Sequence, residues 1–203
     1  MAQTDSEPNE DALGRRLIDI LRASPRLMTV LHTARDLALP DWRIASGAVF
    51  QTAWNDLTGR DPDHGIRDYD LLYFDPDPSW DAEDAVIQRA AGAFEPPLRT
   101  LVEVRNQARV HLWFEKKFGE PYAPLSRTDE ALGRFLCPAN AVGVRLETDG
   151  RLDIAAPLGL ADLFALRLRP NPLRPFNAPS YARVTAGLVA RWPEAMVEAM
   201  QAP

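Results

Sequence analysis

The stretch from Trp42 to Asp75 constrains this chain most. It reads as a strand at Trp42-Arg43-Ile44-Ala45, a tight turn at Ser46-Gly47-Ala48, a short helix from Val49 to Leu57, a loop, and a second strand at Asp68-Tyr69-Asp70-Leu71-Leu72-Tyr73-Phe74. Successive side chains of an extended chain point to opposite faces, so Asp68 and Asp70 emerge on one side, roughly 6.5 to 7 Å apart. Two carboxylates in one small volume repel, and one tends to keep its proton unless a divalent cation lies between them. All-oxygen ligation of that kind suits magnesium, which takes one or two protein carboxylates and fills its shell with water and substrate phosphate. The turn adds a phosphate cradle: Gly47 permits close backbone approach or a positive φ, and the helix that follows presents unsatisfied N–H groups.

Bulk composition bounds this reading. With 203 residues, 46% of them hydrophobic and 26% charged, the chain is long enough to bury one substantial core. A formal net charge of −6 weighs against a broad duplex DNA-binding face and leaves an RNA end open. A single Cys137 cannot form an internal disulfide, and Met1 to Glu10 lacks the basic start and apolar run of a signal peptide. The most apolar later stretch, Ile154 to Leu168, is broken by Pro157, Gly159, Asp162 and Arg167 and does not suit a bilayer. The expectation is a cytoplasmic chain with a disordered tail at residues 1–10 and a single domain over 11–203, its core at about 25–115 and a C-terminal α/β extension at about 120–203.

Apolar spacing predicts helices over Asp11 to Ala23, from Ser24-Pro25 to about Leu37, and over Trp80 to Phe94. Leu101 to Arg105 and Arg109 to Trp113 read as a hairpin across Asn106-Gln107-Ala108, pairing Val104 with Val110 and Val102 with Leu112. That register puts Glu103, Arg105, Arg109 and His111 on one face, where a third carboxylate arrives flanked by cations suited to a triphosphate. Further helices are expected over Ser126 to Leu136, Leu160 to Leu168 and Ser180 to Met200, with a hairpin from Ala141 to Ala155 turning at Asp149-Gly150 and a proline-rich connection over Arg169 to Pro179. His64 and His111 have no partner at metal-ligand spacing and read as hydrogen-bonded residues. The tryptophans Trp42, Trp54, Trp80, Trp113 and Trp192 do not interleave with a basic run and read as core or shielding residues. Arginines after Leu160 outnumber acids five to three; they read first as solvated helix faces, with a surface turned to an anionic substrate as the alternative.

The order of strand, glycine turn, helix, strand with acids at i and i+2, and a later strand with one more acid resembles the polymerase beta-like nucleotidyltransferase superfamily. The wording Ser46 to Asn55, Gly65-Ile66-Arg67-Asp68-Tyr69-Asp70-Leu71, Glu103 to His111 and Ala156-Pro157-Leu158-Gly159-Leu160 is similar to a bacterial nucleotidyltransferase-like family of about this length, from roughly Leu37 to Pro172. The resemblance implies an α+β fold with a mixed, mostly antiparallel sheet flanked by helices. It implies Asp68, Asp70 and Glu103 as catalytic residues and ligands of Mg²⁺, with Mn²⁺ the alternative. Ser46, Gly47 and Ala48 would lie at the phosphates of a nucleoside triphosphate such as ATP, with Arg67, Arg105 and Arg109 adding positive charge. Where the superfamily turn carries Gly or Ser after its glycine, this chain has Ala48, so donation falls to Ser46 or to the backbone. The implied activity is transfer of a nucleoside monophosphate to a small molecule, a protein or an RNA end, with loss of pyrophosphate. The alternative is a degenerate module that binds nucleotide or a protein partner without turnover.

Overall fold

A computed structural model describes residues 9–174 and 177–198. The expected tail therefore falls almost entirely outside the described residues. Two capped helices open the chain. In α1 (Glu10–Arg22) the Asn9 side chain accepts from the Asp11 N–H, and in α2 (Pro25–Asp36) Ser24 accepts from Leu27 with Pro25 in the first turn. Their apolar stripes, Leu17, Ile20 and Leu21 on one and Leu27, Val30, Leu31 and Ala34 on the other, are buried as their spacing predicts.

The chain continues through β1 (Arg43–Ala45), α3 (Gly47–Leu57), β2 (Tyr69–Tyr73), α4 (Trp80–Ala93), α5 (Leu98–Leu101) and β3 (Val102–Asn106). After these come α6 (Phe114–Phe118), α7 (Asp129–Leu132), β4 (Gly143–Leu146), β5 (Leu152–Ala155), α8 (Ala161–Phe164), β6 (Arg167–Leu168), α9 (Ala178–Val189) and β7 (Met196–Val197). The main sheet has the order β3-β2-β1-β4-β5, antiparallel throughout except for the parallel pair β2 and β3. This is an α+β fold, a mostly antiparallel sheet flanked by helices. The sheet draws strands from both sides of residues 115–120. One apolar cluster runs from Leu17 to Ala195 and includes Ile44, Trp54, Leu71 and Trp192, all fully buried. Each such side chain contributes about 1.5–3 kcal/mol relative to exposure, so the cluster ties the N-terminal helices and α9 to the sheet.

Several elements depart from their pattern. No hairpin follows β3: the strand pairs parallel with β2, and Val110–Leu112 is a 3-10 turn. Asn106 makes the difference. Its backbone N–H donates to Glu83 of α4, its side chain accepts from the N–H groups of Asp75 and Ala108, and its amide donates to the carbonyls of Asp75 and Asp77. These bonds tie the end of β3 to the end of β2 and leave no ladder for a returning strand. The helix expected over 126–136 is confined to α7, which ends at Gly133. The helix expected over 160–168 stops after α8, because Leu166 takes a positive φ of 49° and Arg167–Leu168 pair parallel with β7. The last helix is α9, begun at the Asn177 cap, and β7 replaces its expected continuation. Residues 175–176 of the expected connection and 199–200 of the expected helix lie outside the described residues. The hairpin at Asp149-Gly150 is present, with Val144 opposite Ile154 and Gly150 at φ 84°.

Candidate active site

The turn between β1 and α3 stores its backbone strain at Ser46, not at the glycine beside it. Ser46 has φ 49° and ψ −111°, a conformation that L residues rarely adopt. Its N–H donates to Val142 at 2.8 Å, and its carbonyl accepts from Val49 and Phe50 at 2.9 and 3.0 Å, which holds it there. Helix α3 thus starts with the N–H groups of Gly47 and Ala48 lacking intrahelical acceptors. Gly47 lies beside the carboxylate: a Cβ there would stand 3.6 Å from Oδ1 of Asp68, an ordinary contact. Ala48 is fully buried, so its methyl group offers a ligand no donor.

Three carboxylates meet beside this turn. Asp70 stands between Ala45 on β1 and Glu103 on β3, and Asp68 precedes the strand by one residue. Burial first, then Asp68 and Glu103, pushes the Asp70 carboxyl up to about 7, against the opposing pull of Arg105. Asp68 is also raised, by burial and by Glu103, and is partly relieved by Arg191 and Arg67. Among the described residues neither aspartate is held by a hydrogen bond or an ion pair. Glu103 pairs with Arg105 at 3.2 Å, with 54% and 43% of the two side chains exposed, a contact that holds little energy and exchanges readily.

The cations divide into committed and available ones. Arg109 forms a nearly buried ion pair with Glu83 at 2.9 Å and lies over the ring of Trp80, so the missing hairpin leaves it bound to α4 instead of beside the carboxylates. Arg167 and Arg169 both pair with the buried Asp162 at 2.6 Å, and Arg174 pairs with Glu120. Arg67 and Arg191 form no ion pair among the described residues, yet both act on Asp68. Arg191 follows α9, 123 residues beyond Asp68 in the sequence, and nothing in the local pattern marks it out from its neighbours. It donates to the Gly65 carbonyl at 2.7 Å, reaches Gln51 at 3.5 Å and stacks over Trp192. Trp192 in turn donates to Asn55 at 2.9 Å and meets Trp54 and His64 edge-on, and His64 contacts the Arg191 carbonyl. Burial and Arg67 depress the Arg191 pKa, so two like charges are held near each other beside a helix start.

Among the described residues, no three His, Cys, Asp or Glu side chains close on a metal ion by themselves. The donor set is nevertheless that of a hard cation: oxygen only, mutually repelling, and without a fixed counter-charge on the aspartates. It fits magnesium, which leaves most of its shell to water and phosphate.

A family model described as Nucleotidyltransferase matches residues 32–197, which include the turn, all three carboxylates and Arg191. The chain belongs to this nucleotidyltransferase family. One solved structure, determined by NMR and described as revealing a CCA-adding enzyme head domain, aligns with a TM-score of 0.73 over 92% of this chain and 96% of its own, at 23% identity. At that identity the likeness is one of fold. No curated protein matches the chain. No helix among the described residues of this nucleotidyltransferase is long and apolar enough to cross a membrane.

A cleft of about 440 Å³ opens beside the nucleotidyltransferase turn, with Ser46 and Asp70 on its wall. Trp113, Phe114, Phe118 and Tyr122 also line it, so Trp113 shields a surface cleft while Trp42, Trp54 and Trp192 are core residues and Trp80 is exposed. Asn140 lines the cleft too, its Oδ1 buried without a hydrogen-bond partner.

Proposed function

We propose that this nucleotidyltransferase is a magnesium-dependent enzyme that moves a nucleoside monophosphate from a nucleoside triphosphate to an acceptor hydroxyl, releasing pyrophosphate. One observation carries the reading: Asp70, raised to about 7 by burial and two neighbouring carboxylates, borders a helix start whose first N–H groups lack acceptors. Asp68, Asp70 and Glu103 would hold Mg²⁺, or Mn²⁺ in its place. When bound, the cation neutralises triphosphate charge and lowers the pKa of the acceptor hydroxyl.

The chain's own groups do the rest. The N–H groups of Gly47 and Ala48 bind phosphate oxygens, as helix starts do for anions. Arg67 and Arg191 flank Asp68 and suit the charge that gathers on the leaving pyrophosphate, since guanidinium forks match phosphate oxygens. The acceptor oxygen forms a bond to the α-phosphorus, the bond to the β-phosphate's bridging oxygen breaks, and the hydroxyl proton leaves through a carboxylate or water. A single buried cysteine, Cys137, fits a reducing compartment such as a bacterial cytoplasm.

Pyrophosphate release tests the proposal. Each of the four nucleoside triphosphates is incubated with the protein, Mg²⁺ and a cell extract, beside the Asp70→Asn variant. Release by the unsubstituted protein alone is expected with at least one nucleotide. Equal release from both proteins would refute the assignment.

A further inference from the structure

Resting on the transferase reading above, we propose that the 440 Å³ cleft beside Asp70 is the acceptor subsite and that the acceptor is a small anionic molecule with a planar, apolar body and a hydroxyl. Of the residues read as the site, the cleft takes in Ser46, Asp70 and Arg105. Ser46 and Asp70 belong to the cleft wall; Gly47, Arg67, Asp68 and Arg191 do not line it. A nucleotide whose phosphates lie along Gly47, Asp68 and Arg191 leaves the cleft free for the second substrate.

The lining states the chemistry of that substrate. The Phe114 ring lies 4.7 Å from that of Phe118 and 4.6 Å from that of Tyr122, tilted by 49° and 41°, and Trp113 lies 6.0 Å from Phe114. Trp113, Phe114 and Phe118 belong to neither apolar core cluster, and Phe118 is 42% exposed. Rings packed on one another at the mouth of a cleft, outside the core, offer a flat apolar body faces and edges to contact. The same wall carries Arg134 and Arg183, which form no ion pair among the described residues, whereas of its two acids, Asp70 and Glu120, the second is taken by Arg174. Unmatched guanidinium groups in an apolar cleft select an anion. The orphaned Oδ1 of Asn140 requires a donor, and a ligand hydroxyl or N–H supplies one. The volume suits a compact, drug-sized molecule.

The probe is 8-anilinonaphthalene-1-sulfonate, a planar aromatic anion whose fluorescence rises on leaving water. It is titrated into the whole protein and into two variants, Ser180→Trp, which adds bulk on α9 inside the cleft, and Arg183→Gln, which removes an exposed cation from it. Circular dichroism melts confirm that each variant folds. Saturable binding at one site is expected, weakened about tenfold in each variant, the factor that a single contact of 1.4 kcal/mol represents. Mg²⁺ and ATP together leave it undisplaced. Binding that is non-saturable or indifferent to both substitutions overturns the proposal. Competition by Mg²⁺ and ATP also overturns it, by assigning the cleft to the nucleobase. The two readings fail separately: if the protein binds the probe as expected but releases no pyrophosphate in any extract, the transferase reading and the acceptor role fall while the ligand chemistry stands.

Discussion

Asp70 and Glu103 stand opposite each other on the parallel pair β2 and β3, with Ala45 completing the same rung. Side chains on one rung of a sheet share a face, so two carboxylates are forced together by the register itself. The neighbouring Asp68 adds a third. The Asp70 carboxyl, pushed up to about 7, therefore retains a proton in the folded protein that the unfolded chain has already released.

The sign of the consequence follows from linkage. A raised carboxyl favours the folded state below its folded pKa, and that advantage is lost as pH rises from about 4 through about 7. Asp70→Asn removes the penalty. At about pH 8 in a chelator it should melt higher than the unsubstituted protein, by on the order of 1–2 kcal/mol once solvent screening is allowed for. The difference should shrink to nothing near pH 4. Adding Mg²⁺ should raise the melting temperature of the unsubstituted protein and leave the variant nearly unmoved. A variant less stable at the higher pH would show that Asp70 is not crowded by its neighbours.

Arg191 reaches the site from the far end of the chain while its neighbour Trp192 is fully buried. Arg191→Ala should lower the melting temperature modestly, through loss of its bonds to the Gly65 and Gly187 carbonyls, and raise the apparent KM for nucleotide about tenfold, a charged hydrogen bond contributing about 1.5–3 kcal/mol. Because Arg191 holds the Asp68 carboxyl down, its loss should also move the acid limb of the pH–rate profile upward. Steady-state kinetics across pH read both effects. An unaltered KM with an unaltered acid limb would remove Arg191 from the site.

Ser46 carries a positive φ without being glycine. Ser46→Gly should stabilise the fold by about 1 kcal/mol, because glycine adopts that backbone at little cost. Ser46→Ala keeps the strain and lacks the hydroxyl. If the hydroxyl serves the phosphates, both variants should lose activity by a similar factor while only the glycine variant gains stability. Thermal melts paired with pyrophosphate release separate the two contributions.

Arg43 is 6% exposed on β1 and bonds Asp129 and Asp153 from within the sheet. Arg43→Ala would strip both acids of their buried partner, leaving Asp129 to Arg127 and Asp153 to the more distant Arg145 and Arg151, and should cost about 1–3 kcal/mol, the range for charged hydrogen bonds lost from a partly buried site. Denaturant unfolding measures it. A triple variant that also replaces both acids by Asn should recover a good part of the loss, and a variant that unfolds at the same denaturant concentration as the parent would contradict the pairing.

What local chemistry controls was legible in the sequence. The cap at Ser24, the turn at Asp149-Gly150, and the pair Asp68 and Asp70 all follow from residues close together in the chain. The misread segments were decided by distant partners. Val102 to Trp113 alternates like a hairpin, but Asn106 and Glu83, 23 residues apart, bind the strand end to α4 and redirect Arg109. Leu160 to Leu168 has helical spacing, but Leu166 and the pairing with β7 end the helix early. Arg191 could not be distinguished from the other C-terminal arginines without knowing that Arg167 and Arg169 are spent on Asp162 and Arg174 on Glu120.

The indole of Trp192, hydrogen-bonded to Asn55 and filling the space above Gly65, where a Cβ would stand 2.8 Å from its ring, has a consequence for synthesis. A growing polypeptide that has reached only the end of α9 already owns Asp68, Asp70 and Glu103, yet still lacks both Arg191 and the ring over which it stacks. The cationic side of the cluster would then be completed by the seating of one ring and not by the accumulation of fold.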